Sequence, residues 1–142
     1  MGEPIIISHI LQAPIERVWT ALTDVDQMNV WYFPQLKAFE PRVGFRTEFL
    51  LTNDGRDFTH QWVVSEVSAP NRISYLWTLK EWEGLSMVTF ELETHGAYTL
   101  LKLFNAGGHT YKDDIPEFKR QSGIDGWTYL LCEALPDYLS KV

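Results

Sequence analysis

Four histidines, one cysteine and scattered carboxylates are the groups in this chain with ionic or nucleophilic chemistry to offer. His9, His60, His95 and His109 stand singly, none at the spacing of a metal motif. Ligands this dispersed predict no metal and no cofactor. His95 falls in a His95-Gly96 turn and His109 follows Gly107-Gly108, so both are expected in solvent. Cys132 lies beside Leu131 in an apolar helical stretch, where a thiol acts as a small hydrophobe rather than a nucleophile. Gly107-Gly108 lacks the lysine of a phosphate loop, and no nucleophile elbow is present. Acid–base chemistry would fall to Glu48, Asp57, His60 or Glu66, provided one of them is buried and its pKa thereby displaced. Alternation sets Glu48 opposite to Phe49 and so outward. No catalytic residue is therefore assigned.

The other chemistry on offer is apolar recognition. Aromatic residues are 14% of the chain, with six tryptophans, enough either to fill a wide core or to line a cavity. Trp31, Phe49, Trp62, Tyr75, Trp77, Phe90 and Trp127, with Leu103 and Leu131, are the candidate lining of such a cavity. The Tyr75 hydroxyl and the indole N–H groups would orient a ligand within it.

These residues need elements to carry them. Ile5 to Gln12 predicts a strand. Pro14 opens a short helix whose Ile15, Val18, Trp19 and Leu22 share one face. Asp24 and Gln27 form a capping box for a second short helix, with Met28 and Trp31 inward, ended by Trp31-Tyr32-Phe33-Pro34. Strands follow over Phe45 to Thr52 and Phe58 to Val67, joined by the Asn53-Asp54-Gly55 turn. After Ala69-Pro70-Asn71 comes a strand with Ile73, Tyr75, Trp77 and Leu79 on one face, expected to break at Glu83-Gly84. Val88, Phe90 and Leu92 alternate with polar neighbours, as in a sheet wet on its outer face. Thr99, Leu101, Leu103 and Asn105 mark the last strand.

Pro116 to Val142 predicts a long helix with an apolar stripe of Ile124, Trp127, Leu131, Ala134 and Tyr138, widened by Leu130 and Leu135. Asp113 or Asp114 would cap it, Gly123 and Gly126 weaken its start, and Pro136 predicts a bend. The fold expected is α+β: a curved antiparallel sheet around a long C-terminal helix, with two short helices after the first strand. Residues 1–142 are read as one domain. Leu76, Tyr98, Leu100 and Phe104 fall on the outer face of that sheet, and together would form an apolar patch for a homodimer.

Net charge is −7, which argues against nucleic acid or an anionic membrane as partner. No apolar run reaches the ~20 residues of a membrane span. The N-terminus lacks the pattern of a signal peptide, and a lone cysteine suits a reducing compartment. A cytoplasmic protein is expected.

Several phrases resemble the family of the activator of heat-shock protein 90 ATPase. Gln12-Ala13-Pro14-Ile15-Glu16-Arg17-Val18-Trp19-Thr20-Ala21-Leu22-Thr23-Asp24 is similar to its opening, followed at a similar distance by Trp31-Tyr32. Arg72-Ile73-Ser74-Tyr75-Leu76-Trp77, Val88-Thr89-Phe90-Glu91-Leu92 and Thr99-Leu100-Leu101-Lys102-Leu103 resemble its later strands, and Gly126-Trp127 with Leu130-Leu131 and Leu135 its final helix. The family lies within the START-like, pollen-allergen and polyketide-cyclase superfamily. The resemblance implies a helix-grip fold with a cavity between sheet and helix, and hence a hydrophobic or lipid-like small-molecule ligand. Its alternatives are a chaperone as partner, or a cyclase/dehydratase-like enzyme. Two departures stand out. Trp62 occupies a position where the family often carries glycine, so its ring is expected to fill part of the cavity. The separate amino-terminal domain by which the eukaryotic activator engages the chaperone is expected to be missing.

Overall fold

Alternation of apolar and polar residues builds six strands, and one register aligns their apolar faces. In the computed structural model, which describes residues 2–112 and 114–141, they are β1 (Ile5–Leu11), β2 (Arg46–Asn53), β3 (Arg56–Ser68), β4 (Arg72–Leu79), β5 (Trp82–His95) and β6 (Tyr98–Ala106). All pair antiparallel in the order β1-β6-β5-β4-β3-β2. The sheet is curved and does not close; bulges between Val64 and Glu66 and between Trp77 and Leu79 bend its longer strands. Asp54 (φ 52°) and Gly55 (φ 76°) make the two-residue turn between β2 and β3, with both central residues left-handed.

The expected break at Glu83-Gly84 is corrected. Lys80-Glu81 makes the turn, and β5 runs straight through Gly84. The Tyr111 ring explains the glycine: a Cβ on Gly84, whose φ is +142°, would lie 2.3 Å from Tyr111 Cδ1. The residue holds a close approach rather than ending a strand.

Helices α1 (Ile15–Thr23) and α2 (Val25–Trp31) follow β1. Val18 and Leu22 of α1 are buried, as are Met28 and Trp31 of α2. Asp24 caps α2 by accepting from the Gln27 amide at 3.2 Å. The Trp31 indole donates to the Ala21 carbonyl at 2.7 Å, tying α2 to α1.

The C-terminal helix runs from Arg120 to Ser140 as α3 (Arg120–Tyr129), a π-helical turn (Leu130–Ala134) and α4 (Leu135–Ser140). Pro116–Phe118 forms a separate 3-10 turn instead of the helix start. The helix begins at Lys119 without a side-chain cap; Asp114 does not cap it, and Asp113 lies outside the described residues. Its buried stripe is Trp127, Leu131, Leu135 and Leu139, so Ala134 and Tyr138 are only half-buried. The π turn is the reason. Its wider winding, with the Leu135 amide bonded to the Leu130 carbonyl, rotates later residues by about one position. Pro136, which has no N–H and crowds the carbonyl four residues back, sits just beyond that turn. Arg17 donates to the Leu139 carbonyl at 3.3 Å and pins the helix end to α1.

Candidate functional site

Neighbouring rungs of the sheet put Trp77 opposite Trp62, His60 opposite Phe49, and Phe90 opposite both Ile73 and Leu103. The long helix lowers Trp127 and Leu131 onto this face, and the end of α2 adds Trp31, Tyr32 and Phe33. All nine residues proposed as a lining thus meet in one hydrophobic core. Trp31, Phe49, Trp62, Tyr75, Phe90, Leu103, Trp127 and Leu131 are buried, and Trp77 is half-buried.

Trp62 is the hub. Its ring stacks on Tyr75 at 4.5 Å and meets Phe49 and Trp77 edge-on at 5.1 and 5.0 Å. Tyr32, Phe33 and Phe39 complete its surround. The large indole therefore fills space between sheet and loop. The N–H of Trp77 donates to His60 Nδ1 at 2.8 Å, and that of Trp127 to Asn105 Oδ1 at 3.2 Å. Trp62 Nε1 has no partner, alone among the buried side-chain polar atoms of the described residues. Tyr32 and Tyr75 share one hydroxyl–hydroxyl bond of 2.8 Å. Burial pushes both phenols well above their ordinary pKa, so both stay protonated.

Sequence reasoning missed Tyr32, Phe33 and Phe39. The run Trp31-Tyr32-Phe33-Pro34 marks a helix end, and only the crossing of the chain over β3 and β4 brings its rings to Trp62. Of the acid–base candidates, Glu48, Asp57 and Glu66 are exposed. His60 alone enters the cluster, stacked on Phe49 at 5.0 Å. Burial lowers its pKa to about 4, with Glu81 opposing weakly. Because an indole N–H only donates, His60 Nδ1 is unprotonated and the ring proton sits on Nε2. Cys132 is half-buried, and burial with the adjacent Glu133 raises its pKa, so its thiol is unactivated. His95 and His109 are exposed. No metal-capable group of side chains exists among the described residues.

Beside the cluster lies an open groove of about 690 Å³, lined by Ile5, Ser86, Asn105, Tyr111, Phe118 and Gly123 among others. It abuts the aromatic rings at two points. Asn105 holds the Trp127 indole, and Ser86 pairs with Trp77 across β4 and β5. Tyr111 donates to the Trp77 carbonyl at 3.0 Å. Glu117 accepts from Arg56 and Asn53, and Arg120 donates to the carbonyls of Glu3 and Pro4, so the rim is fixed by its own contacts.

On the outer sheet face, Leu76, Tyr98, Leu100 and Phe104 do not form one patch. The rung Ser8–Lys102–Glu91–Arg72, with Arg72 ion-paired to Glu91 and Glu66, separates Tyr98 and Leu100 from Phe104 and Leu76.

A sheet gripping a terminal helix over an aromatic core is the arrangement the sequence phrases pointed to. The family model described as Activator of Hsp90 ATPase homolog 1-like protein matches residues 12–140. The chain belongs to this family. Among solved structures, protein MLL2253 from Mesorhizobium loti is 24% identical with a TM-score of 0.79, over 99% of this chain and 98% of that one. CalU16 from Micromonospora echinospora is 25% identical with a TM-score of 0.68, over 97% and 74%. DynU16, a protein of the dynemicin biosynthetic locus, is 19% identical with a TM-score of 0.77, over 99% of this chain and 48% of that one. These likenesses show an α+β helix-grip fold, a curved antiparallel sheet around a C-terminal helix. No functionally curated protein matches the sequence. No helix among the described residues is long and apolar enough to cross a membrane.

Proposed function

We propose that this domain binds a small hydrophobic or lipid-like molecule between the sheet and the C-terminal helix, without chemistry of its own. The groove serves as its entrance, and the nine residues from Trp31 to Leu131 form the wall it meets. The observation that carries this reading is the adjacency of a roomy groove to a face of exceptional aromatic density, with Trp77 and Trp127 as the partition. Such rings supply large apolar contact area, and a few fixed polar groups orient what lies against them. Absence of a buried carboxylate, among the described residues, favours binding over acid–base catalysis.

The experiment is a titration with a solvatochromic naphthalene probe, read by energy transfer from the tryptophans. Uptake at micromolar concentration, lost on closing the groove with Gly123→Phe, is expected. No uptake by the unaltered protein would end the reading.

A contact between two copies through the outer face is a subordinate reading. Ile6 and Met87, 57% and 38% exposed, extend the Leu76–Phe104 side of that face. Sedimentation equilibrium should show a mass that rises with concentration. A chaperone as partner rests on the family's name alone, and a cytoplasmic setting on the lone Cys132.

A further inference from the structure

The polar groups of the aromatic cluster are out of balance. Trp62 Nε1–H is buried, on a residue only 1% exposed, and has no acceptor. The Tyr32–Tyr75 pair has two hydroxyl protons, and its single mutual bond engages one; no other acceptor faces either oxygen among the described residues. These two donors sit on adjoining rings, since Trp62 touches both Tyr75 and Tyr32. A buried donor left unpaired is costly, and native interiors rarely keep one without a function or a bound group.

From this surplus we infer that the ligand is a neutral apolar molecule carrying a carbonyl oxygen, which accepts from Trp62 Nε1 and the spare tyrosine hydroxyl. The inference rests on the binding reading above and adds the chemistry of the ligand's polar end. Three observations set that chemistry. Donors without acceptors select an oxygen or nitrogen acceptor. No Lys or Arg among the described residues is buried, so a carboxylate at the cluster would be buried without a counter-charge, which excludes an anion. The surplus of protons also disfavours a ligand that brings its own O–H or N–H, since that proton would find few partners. A ketone, ester or quinone on an apolar body satisfies all three conditions. Phe33, half-buried and carried on the irregular chain after α2, is the ring over Trp62 best placed to yield to it.

The test compares two near-isosteric probes, 2-acetylnaphthalene and 2-isopropenylnaphthalene, which differ by a carbonyl oxygen in place of a methylene. The ketone should bind about tenfold more tightly, the margin of one well-made buried hydrogen bond. Trp62→Phe, which keeps a ring and removes the N–H, should shrink that preference to the share of the tyrosine hydroxyl. In the intact protein the Trp62 indole proton should move downfield in the NMR spectrum with the ketone and stay in place with the alkene. Equal binding of both probes overturns the carbonyl assignment while the binding reading stands. Binding of neither overturns both. A ketone preference undiminished by Trp62→Phe, with an indole resonance that stays in place in the intact protein, also rejects the assignment.

Discussion

Around Trp62 the rings leave little space and the donors lack acceptors; around Arg120 the space is open and the polar groups are satisfied. The two regions are neighbours, sharing Asn105 and Trp127 at their boundary. In the groove, Arg120 reaches the Glu3 and Pro4 carbonyls, Glu117 holds Arg56 and Asn53, and Tyr111 holds the Trp77 carbonyl. These rim groups thus find their partners within the protein. The cluster is complete only in its packing. Volume alone would have pointed to the groove as the site, and polar satisfaction points inward instead. On the proposed binding reading, the groove is an entrance and the cluster its terminus rather than a second site.

The largest test of that division is Trp127→Ala. Trp127 is 7% exposed, touches Tyr32, Trp77 and Phe90, and donates to Asn105 at the boundary. Removing a packed indole costs about 3–5 kcal/mol, and urea unfolding should show a loss of that size. A near-neutral result would mean the helix does not close the cluster, and the two regions would then be one open space.

His60 offers a smaller test by titration. In the folded protein its pKa is lowered to about 4, by burial above all, whereas in the unfolded chain it returns to about 6.5. Between those values the unfolded state binds more protons, so stability falls as pH drops. The contribution is fully present above pH ~6.5 and lost by pH ~4, a change of about 3 kcal/mol in all. His60→Gln cannot titrate and still offers Trp77 an acceptor, so this limb of the stability–pH curve should flatten. An unchanged curve would place His60 in water and remove it from the cluster.

The sequence made the sheet legible and left the site half hidden, for local reasons. Alternation at Val88, Phe90 and Leu92 and the Asn53-Asp54-Gly55 turn are short-range signals, and the structure keeps both. The helix stripe was readable up to Leu131. Beyond it a 3.6-residue period selects Ala134 and Tyr138, while the π turn passes burial to Leu135 and Leu139. One extra residue in one turn is invisible to a periodicity count. Gly84 shows the same limit: a glycine that spares room for Tyr111, distant in sequence, looks like a breaker. The candidate lining met in one core because strand alternation fixes which rings face inward. Tyr32 and Phe33 were missed because they reach that core from a chain crossing, for which no period exists.

Two glycines of α3 give the smallest and most local contrast. A Cβ on Gly126 would meet no atom within 4 Å, whereas one on Gly123, at the groove wall, would lie 3.1 Å from Ile5 Cδ1. Alanine has the higher helix propensity by roughly 0.5–1 kcal/mol, so Gly126→Ala should raise stability by about that amount. Gly123→Ala should gain less, because the Ile5 methyl must first move aside. Urea midpoints at constant slope measure both. Equal gains would show that the groove wall yields freely at Ile5; a loss at Gly126 would show that α3 is not an ordinary exposed helix where it leaves the groove for the cluster.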